Sequence, residues 1–363
     1  MEVKSGYKQT EVGVIPEEWE ANTIGGCCTC FSGGTPSTSN PSYYGGNIAW
    51  ITSSDLNKER IAEVDGRITE DGLTNSASKI VNKGTLLLAL YGATAGVCAI
   101  SEIQAAINQA VLAISPRRGD IEYLFQFLTF RKDHFIKTYT QGGQPNFSGE
   151  IVKSFYVPLP PLPEQRAIAT ALSDLDGLLG GLDRLIAKKR DLKQAAMQQL
   201  LTGQTRLPGF HGEWEVKQLG DVASLSKGTQ LHSSEADDGG KFAHLNGGIT
   251  PSNYTHKSNT AGNTIAISEG GNSCGFVQFM PEPYWCGGHC YSVMPKGVDN
   301  YFLYQALKAQ QSAIMGLRVG SGLPNVQKTG LLAFKIHLPS SPPEQTAIAE
   351  VLTEMDAELA GIE

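Results

Sequence analysis

The longest regular pattern in the chain is a stripe of apolar residues at Ile168, Leu172, Leu175, Leu179, Leu182 and Ile186, spaced 4-3-4-3-4. That spacing is the seam of a helix packed along a partner helix. Ahead of it, Leu159-Pro160-Pro161-Leu162-Pro163 cannot be helical and reads as a rigid extended lead-in. Pro163 suits a first helical position, and Glu164 sets negative charge at the positive end of the helix dipole. The stripe continues less regularly through Leu192, Ala196 and Leu200, and Thr202-Gly203 supplies a stop. Forty residues at about 1.5 Å each predict a rod of roughly 60 Å. Gly177, Gly180 and Gly181 weaken this rod but allow another helix close to it.

Elsewhere the apolar positions come in short runs bounded by Gly or Pro, which predict strands. They are Ile48–Thr52, Thr85–Leu90, Gly96–Ile100 and Val111–Ile114, and later Thr264–Ile267, Phe276–Met280 and Tyr291–Met294. Helical periodicity predicts amphipathic helices over Ile121–Lys137 and Tyr301–Leu317. Loops rich in Gly, Ser, Thr and Asn fill 32–47 and 226–263.

The two sets of elements are copies of one unit. Aligning 164–183 with 344–363 gives nine identities in twenty positions, beginning with the shared Pro-Glu-Gln at 163–165 and 343–345. Upstream, at an offset of 179, Gly92, Gly96, Gln126, Pro145, Asn146 and Phe155 fall on Gly271, Gly275, Gln305, Pro324, Asn325 and Phe334. Each copy also starts alike, with Glu18-Trp19-Glu20 and Ser32-x-Gly34-Thr35 returning as Glu213-Trp214-Glu215 and Ser226-x-Gly228-Thr229. Two copies of a globular unit, each followed by a helical signature, predict a two-headed pseudo-symmetric molecule. The sequence ends at Glu363 before any counterpart of Leu185–Thr202, so the second rod is expected either to be cut short here or to be naturally half the first. The copies differ most in their loops, which suggests one scaffold presenting two recognition surfaces.

A length of 363 residues permits two domains of ordinary size. No stretch of eighteen uncharged apolar residues exists to span a membrane. Met1 to Thr10 lacks the apolar core of a signal peptide, and seven cysteines then fit a reducing cytoplasm. The net charge of −7 counts against nucleic-acid binding only on average. Between Arg184 and Arg206 six basic residues face the single Asp191, with smaller clusters at Arg117-Arg118 and Arg131-Lys132. Short charge runs are more often solvated faces than binding sites.

Several chemical constellations weaken on comparing the copies. Asn40-Pro41-Ser42-Tyr43 is similar to the Asn-Pro-Pro-Tyr loop with which amino-methyltransferases hold a flipped adenine, but no Gly-rich nucleotide loop accompanies it and the second copy has no equivalent. Cys274, Cys286, His289 and Cys290 suggest zinc, yet Cys274, His289 and Cys290 align with Ala95, Ala110 and Val111. Cys27-Cys28-x-Cys30 has no better metal spacing. Gly92-x-x-x-Gly96 and Gly271-x-x-x-Gly275 read as tight turns, lacking the Lys-Ser/Thr of a phosphate loop. Neither a Ser-His-Asp order nor a carboxylate pair stands out, so the chain is not expected to be an enzyme and no metal is assigned to it.

Together, the Glu-Trp-Glu start, the Ser-x-Gly-Thr loop, the Leu-Pro-x-x-Pro-Glu-Gln lead into a long helix, and Leu200-Leu201-Thr202-Gly203-Gln204-Thr205-Arg206 resemble the specificity (S) subunit of type I restriction–modification systems, HsdS-like proteins. The resemblance covers essentially the whole chain. It implies an α+β fold with two pseudo-symmetric mixed α/β target recognition domains joined by long antiparallel coiled-coil spacer helices. The boundaries are then 1–158 for recognition domain 1, 159–207 for spacer helix 1, 208–337 for recognition domain 2 and 338–363 for the short spacer helix 2. The implied role is non-catalytic: each domain reads half of a split double-stranded DNA target, and the helices dock methyltransferase subunits, two per S subunit, through which restriction subunits attach. S-adenosylmethionine and ATP would bind those partners and not this chain.

On that reading, base contacts come from polar loop side chains and phosphate contacts from Lys and Arg. The first-domain candidates are Thr35, Ser37, Tyr43, Tyr44, Ser53, Asp55, Tyr91, Gln144 and Asn146. In the second they are Lys227, Thr229, Gln230, Asn246, Asn253, Tyr254, Lys257, Arg318 and Asn325. Helix pairing falls to Ile168, Leu172, Leu175, Leu179, Leu182 and Ile186, matched by Ile348 and Leu352. Two rival readings stay open: a fragment of a fused DNA methyltransferase, which would bind S-adenosylmethionine alone, and an assembly protein whose domains read no DNA.

Overall fold

The computed structural model describes residues 4–139, 145–237, 239–320, 322 and 324–363. They divide into two compact units, residues 1–179 and 180–363. Among the described residues no helix is long and apolar enough to cross a membrane.

Unit 1 is built on a five-stranded sheet in the order Cys28–Ser32, Val111–Pro116, Leu86–Ala89, Cys98–Ser101, Arg60–Ile61, antiparallel except for the last pairing. Its inner strands Val111–Pro116, Leu86–Ala89 and Cys98–Ser101 read as mostly apolar runs because both of their faces are largely buried. Leu86, Leu88, Leu112 and Ile114 point into one core with Leu124 and Leu128 of the helix Ile121–Tyr139 and with Phe135, Phe147 and Phe155. Leu87, Ala89, Val111 and Ala113 point the other way, into a core with Ile51, Leu56 and Ile107. A second sheet lies in the order Arg67–Ile68, Tyr44–Ile51, Ala105–Ile107, Lys79–Val81. The unit is tied off by the antiparallel pair Glu20–Thr23 and Tyr156–Leu159.

Unit 2 repeats this plan. Its main sheet runs Ala223–Lys227, Cys290–Pro295, Thr264–Ser268, Val277–Met280, all antiparallel. Ile265 and Ile267 face a core with Phe302 and Leu303, whereas Ala266 faces a smaller one with Leu245 and Tyr284. The closing pair is Trp214–Gln218 with Lys335–Pro339. The expected strands are present with ends shifted by up to four residues. The expected helix over 301–317 is two helices, Asn300–Ala309 and Gln311–Met315, interrupted at Gln310. The glycine repeats are turns: Gly92, Gly96, Gly271 and Gly275 all have positive φ. At Gly275 a Cβ would also lie 2.7 Å from the Met315 backbone, so no other residue fits.

The long helix spans Leu162–Leu200, and Gly203 follows with φ +71°. Its pairing differs from the expected seam. Leu172, Leu175, Leu179 and Leu182 are 40%, 55%, 59% and 36% exposed, and Ile168 and Ile186 are half-buried. Ile348 and Leu352, on the helix Pro342–Ala360, are buried in the unit 2 core with Phe302, Leu303, Leu200 and Leu201. The two helices meet further along instead. Lys193 pairs with Asp356, Lys189 with Glu358, and Arg190 with Glu363 at 2.7 Å. Arg190 takes Glu363 while the later Lys193 takes the earlier Asp356, so these helix ends run antiparallel. Among the described residues the leucines of the 172–182 stripe thus keep a third or more of their surface exposed. A heptad pattern marks an apolar face but does not name what covers it.

Candidate nucleic-acid interface

In both units the loops at one edge of the main sheet are laced by the same backbone hydrogen bonds. In unit 1, Gly34 N–H donates to Ile107 O (3.2 Å), Leu90 N–H to Ala110 O (2.8 Å), Gly92 N–H to Pro145 O (3.2 Å) and Phe147 N–H to Leu90 O (2.6 Å). In unit 2, Thr229 N–H donates to Cys286 O (2.9 Å), Glu269 N–H to His289 O (2.8 Å), Gly271 N–H to Pro324 O (3.0 Å) and Val326 N–H to Glu269 O (2.8 Å). Three of the four bonds join matching positions of the repeat. The Pro-Asn turns pair with the loops after the central strands, as Tyr91 with Asn146 and Gly270 with Asn325. Asn146 and Asn325 are both exposed.

The side chains on this shared backbone differ. In unit 1 the Thr35 hydroxyl donates to Gln109 Oε1, and Tyr91 is half-buried beside Asn146. In unit 2 the Lys227 ammonium donates to Glu269 Oε1 (2.7 Å), as does the Tyr291 hydroxyl (2.8 Å). Burial, followed by the bond to Glu269, raises the Tyr291 hydroxyl above the usual phenol range, so it stays a donor at neutral pH. Asn246 Oδ1 accepts from His289 N–H (3.2 Å), and Gln230 lies beside Gly288. Asn259 Nδ2 donates to the Thr229 hydroxyl at 3.1 Å. Thus Thr35, Tyr91 and Asn146, and likewise Lys227, Thr229, Gln230, Asn246 and Asn325, gather at corresponding edges.

The remaining candidates lie elsewhere. Ser37, Tyr43, Tyr44, Ser53 and Asp55 belong to the segment around the second sheet of unit 1, where several have framework roles. Asp55 Oδ2 accepts from Thr52 N–H (2.8 Å) and from its hydroxyl (2.9 Å), closing a capping box. The Tyr44 hydroxyl donates to Pro36 O (2.6 Å), and its ring packs edge-on to Trp50. Asn40 accepts from Ser42 N–H and hydroxyl, which makes Asn40-Pro41-Ser42-Tyr43 a capped single turn. Ser37 bonds the Ser39 hydroxyl, and Ser53 opens the turn that Asp55 caps. In unit 2, Asn253 Oδ1 is held by His244 Nδ1 (2.6 Å), and Lys257 pairs with Glu235 (3.0 Å). Tyr254 is 41% exposed on the short strand Asn253–Thr255, and Arg318 follows the helix Gln311–Met315. Gln144 lies outside the described residues.

Glu269, Tyr291 and His289 escaped selection from sequence, because an acidic, an aromatic and a demoted zinc candidate do not form a pattern. The repeat carried the signal: their counterparts are Leu90, Leu112 and Ala110. For the cysteines, Cys286 Sγ donates to Cys290 O (3.4 Å) and Cys290 Sγ to Tyr291 O (3.7 Å). Among the described residues no group of three His, Cys, Asp or Glu is placed to hold a metal.

The helices also carry a repeated anchor. Gln165 Oε1 accepts from Asp120 N–H (2.9 Å) and its Nε2 donates to Pro160 O (2.8 Å). Gln345 does the same with Asp299 N–H (3.0 Å) and Pro339 O (2.8 Å). About three turns on, Gln126 Nε2 donates to Asp176 (2.7 Å) and Gln305 Nε2 to Asp356 (2.9 Å).

Comparison with known proteins places the chain in a family. The type I restriction–modification enzyme MjaIX specificity subunit of Methanocaldococcus jannaschii is 30% identical over 250 residues, covering 63% of this chain and 57% of that protein. The match thus spans little more than half of that relative. The MjaVIII specificity subunit of the same organism is 25% identical over 390 residues, covering 97% of this chain and 89% of the relative. The crystal structure of the type I S subunit from M. genitalium has the same fold, with a TM-score of 0.70 at 19% identity over 100% of this chain and 93% of that one. Residues 16–186 and 211–363 each match the type I restriction modification DNA specificity domain, and the chain belongs to that family.

Proposed function

We propose that this chain is the DNA-recognition subunit of a type I restriction–modification complex in the cytoplasm, each unit reading one half of a bipartite double-stranded target. The observation that carries this reading is the repeated loop edge, one backbone lattice with two sets of side chains. A scaffold of that kind positions two readers while leaving each free to differ in sequence preference. The helix Leu162–Leu200, about 58 Å long at about 1.5 Å per residue, joins the readers and sets the gap between half-sites. Two readers on one face of B-DNA need about one helical turn, 34–36 Å, between them.

The exposed stripe Leu172, Leu175, Leu179 and Leu182 supplies an apolar helix face for methyltransferase subunits, two per chain. Restriction subunits join through them. S-adenosylmethionine and ATP belong to those partners, and this chain contributes recognition, not chemistry. The test is retention of duplex DNA by the complex of this chain with its methyltransferase subunits. Sequence-specific binding that weakens steeply with salt is expected. Equal affinity for all duplexes, or tight S-adenosylmethionine binding by this chain alone, would overturn the reading.

A further inference from the structure

At the loop edge of unit 2 the Glu269 carboxylate is the hub of a polar cluster. Its Oε1 receives Lys227 (2.7 Å) and Tyr291 (2.8 Å), and its Oε2 lies 3.8 Å from His289 Nδ1. The Glu269 side chain is 13% exposed, against 52% for Lys227 and 62% for His289. A covered carboxylate thus holds an outward-facing ammonium, flanked by an imidazole ring. An ammonium has three N–H donors, so one bond to Glu269 leaves two for a ligand. The bond fixes the direction of a flexible four-carbon stem, which lowers the entropy lost on binding.

The fold does not require this cluster. The corresponding positions of unit 1 are Gly33, Leu90, Ala110 and Leu112, none of them ionisable, on a backbone with matching hydrogen bonds. Polar groups that the scaffold omits in one copy and gathers at the loop edge in the other point to a ligand of unit 2 alone. Resting on the reading of each unit as a half-site reader, we propose that Glu269 is a positioning residue that aims Lys227, flanked by His289, at an acceptor atom of the half-site read by unit 2. The acceptor is either a backbone phosphate oxygen or the O6/N7 edge of a guanine.

The test uses the full chain in complex with its methyltransferase subunits, a duplex carrying the mapped methylation motif, and a salt series. The variants are Lys227→Ala, Glu269→Gln, the pair Glu269→Leu with Tyr291→Leu, and Asn146→Ala in unit 1. The double variant copies the leucines that unit 1 carries, and melting temperature checks that it folds. Lys227→Ala and both Glu269 variants should weaken binding roughly tenfold. A phosphate contact lowers the salt slope by about one for Lys227→Ala and leaves the motif unchanged. A guanine contact relaxes one position in one half of the motif and leaves the other half intact. If Lys227→Ala and folded Glu269 variants match the parent in affinity, slope and motif while Asn146→Ala does not, the inference is overturned and the half-site reading stands. If no variant in either unit alters DNA binding, both fall.

Discussion

The side-chain amide of Gln345 accepts from the backbone N–H of Asp299 at 3.0 Å, fastening the first turn of a helix to the start of another. Gln165 and Asp120 repeat the contact at 2.9 Å in the first copy, and both glutamines are nearly buried. Only a group with an acceptor and a donor can also reach the carbonyl of the proline lead-in, which accounts for glutamine in each Pro-Glu-Gln. Gln345→Ala would take this partner from the part-buried Asp299 N–H and from the buried Pro339 carbonyl, costing up to about 1–3 kcal/mol for each group left unsatisfied. Urea unfolding should show the loss in both Gln165→Ala and Gln345→Ala. A change below about 0.5 kcal/mol, the range of neutral surface substitutions, would contradict the anchoring role.

Arg206 closes the second copy in a way the first does not share. Its guanidinium forms two bonds to Glu344, 2.5 and 2.6 Å, and Glu344 is fully buried. In the first copy, Glu164 is exposed and receives Trp19 Nε1 at 3.1 Å. Arg206→Ala strands a buried carboxylate and should cost about 3–5 kcal/mol, whereas Arg206→Met with Glu344→Leu should recover most of that loss. A double variant as unstable as the single one would show that packing, not charge, dominates there.

These pairs show what the sequence made legible. Pro-Glu-Gln, Gly92 with Gly96 and the apolar strands could be read because each local pattern has one physical meaning. The heptad stripe marked an apolar face, but its leucines at 172, 175, 179 and 182 stay exposed here, because a spacing pattern does not name what covers a face. Polar loop residues were the hardest. Asp55, Tyr44 and Asn253 are the right types to touch DNA, yet equally suited to satisfying nearby backbone or a buried histidine, and composition does not separate the two uses. Glu269 was invisible for the opposite reason, since its role rests on three neighbours distant in sequence.

The exposed leucine stripe predicts a separation of stability from assembly. Leu175→Lys with Leu179→Lys replaces side chains that are 55% and 59% exposed. Unfolding free energy should stay within about 0.5 kcal/mol of the parent at each site. Co-purification of methyltransferase subunits should fall sharply. Unimpaired assembly would move the docking surface elsewhere.

The spacer helix predicts a geometric effect. Four residues inserted after Ala187 add about 6 Å to the helix, close to two base pairs at about 3.4 Å each. The gap between half-sites should lengthen while both half-sites keep their sequence. Methylated sites with the original gap would remove the spacer role from this helix.

The most direct measurement is a map of methylated adenines in cells expressing this chain with its methyltransferase subunits. Two independent readers on one repeated scaffold predict a bipartite motif, two short specified halves around an unspecified gap. A single continuous motif would contradict the account.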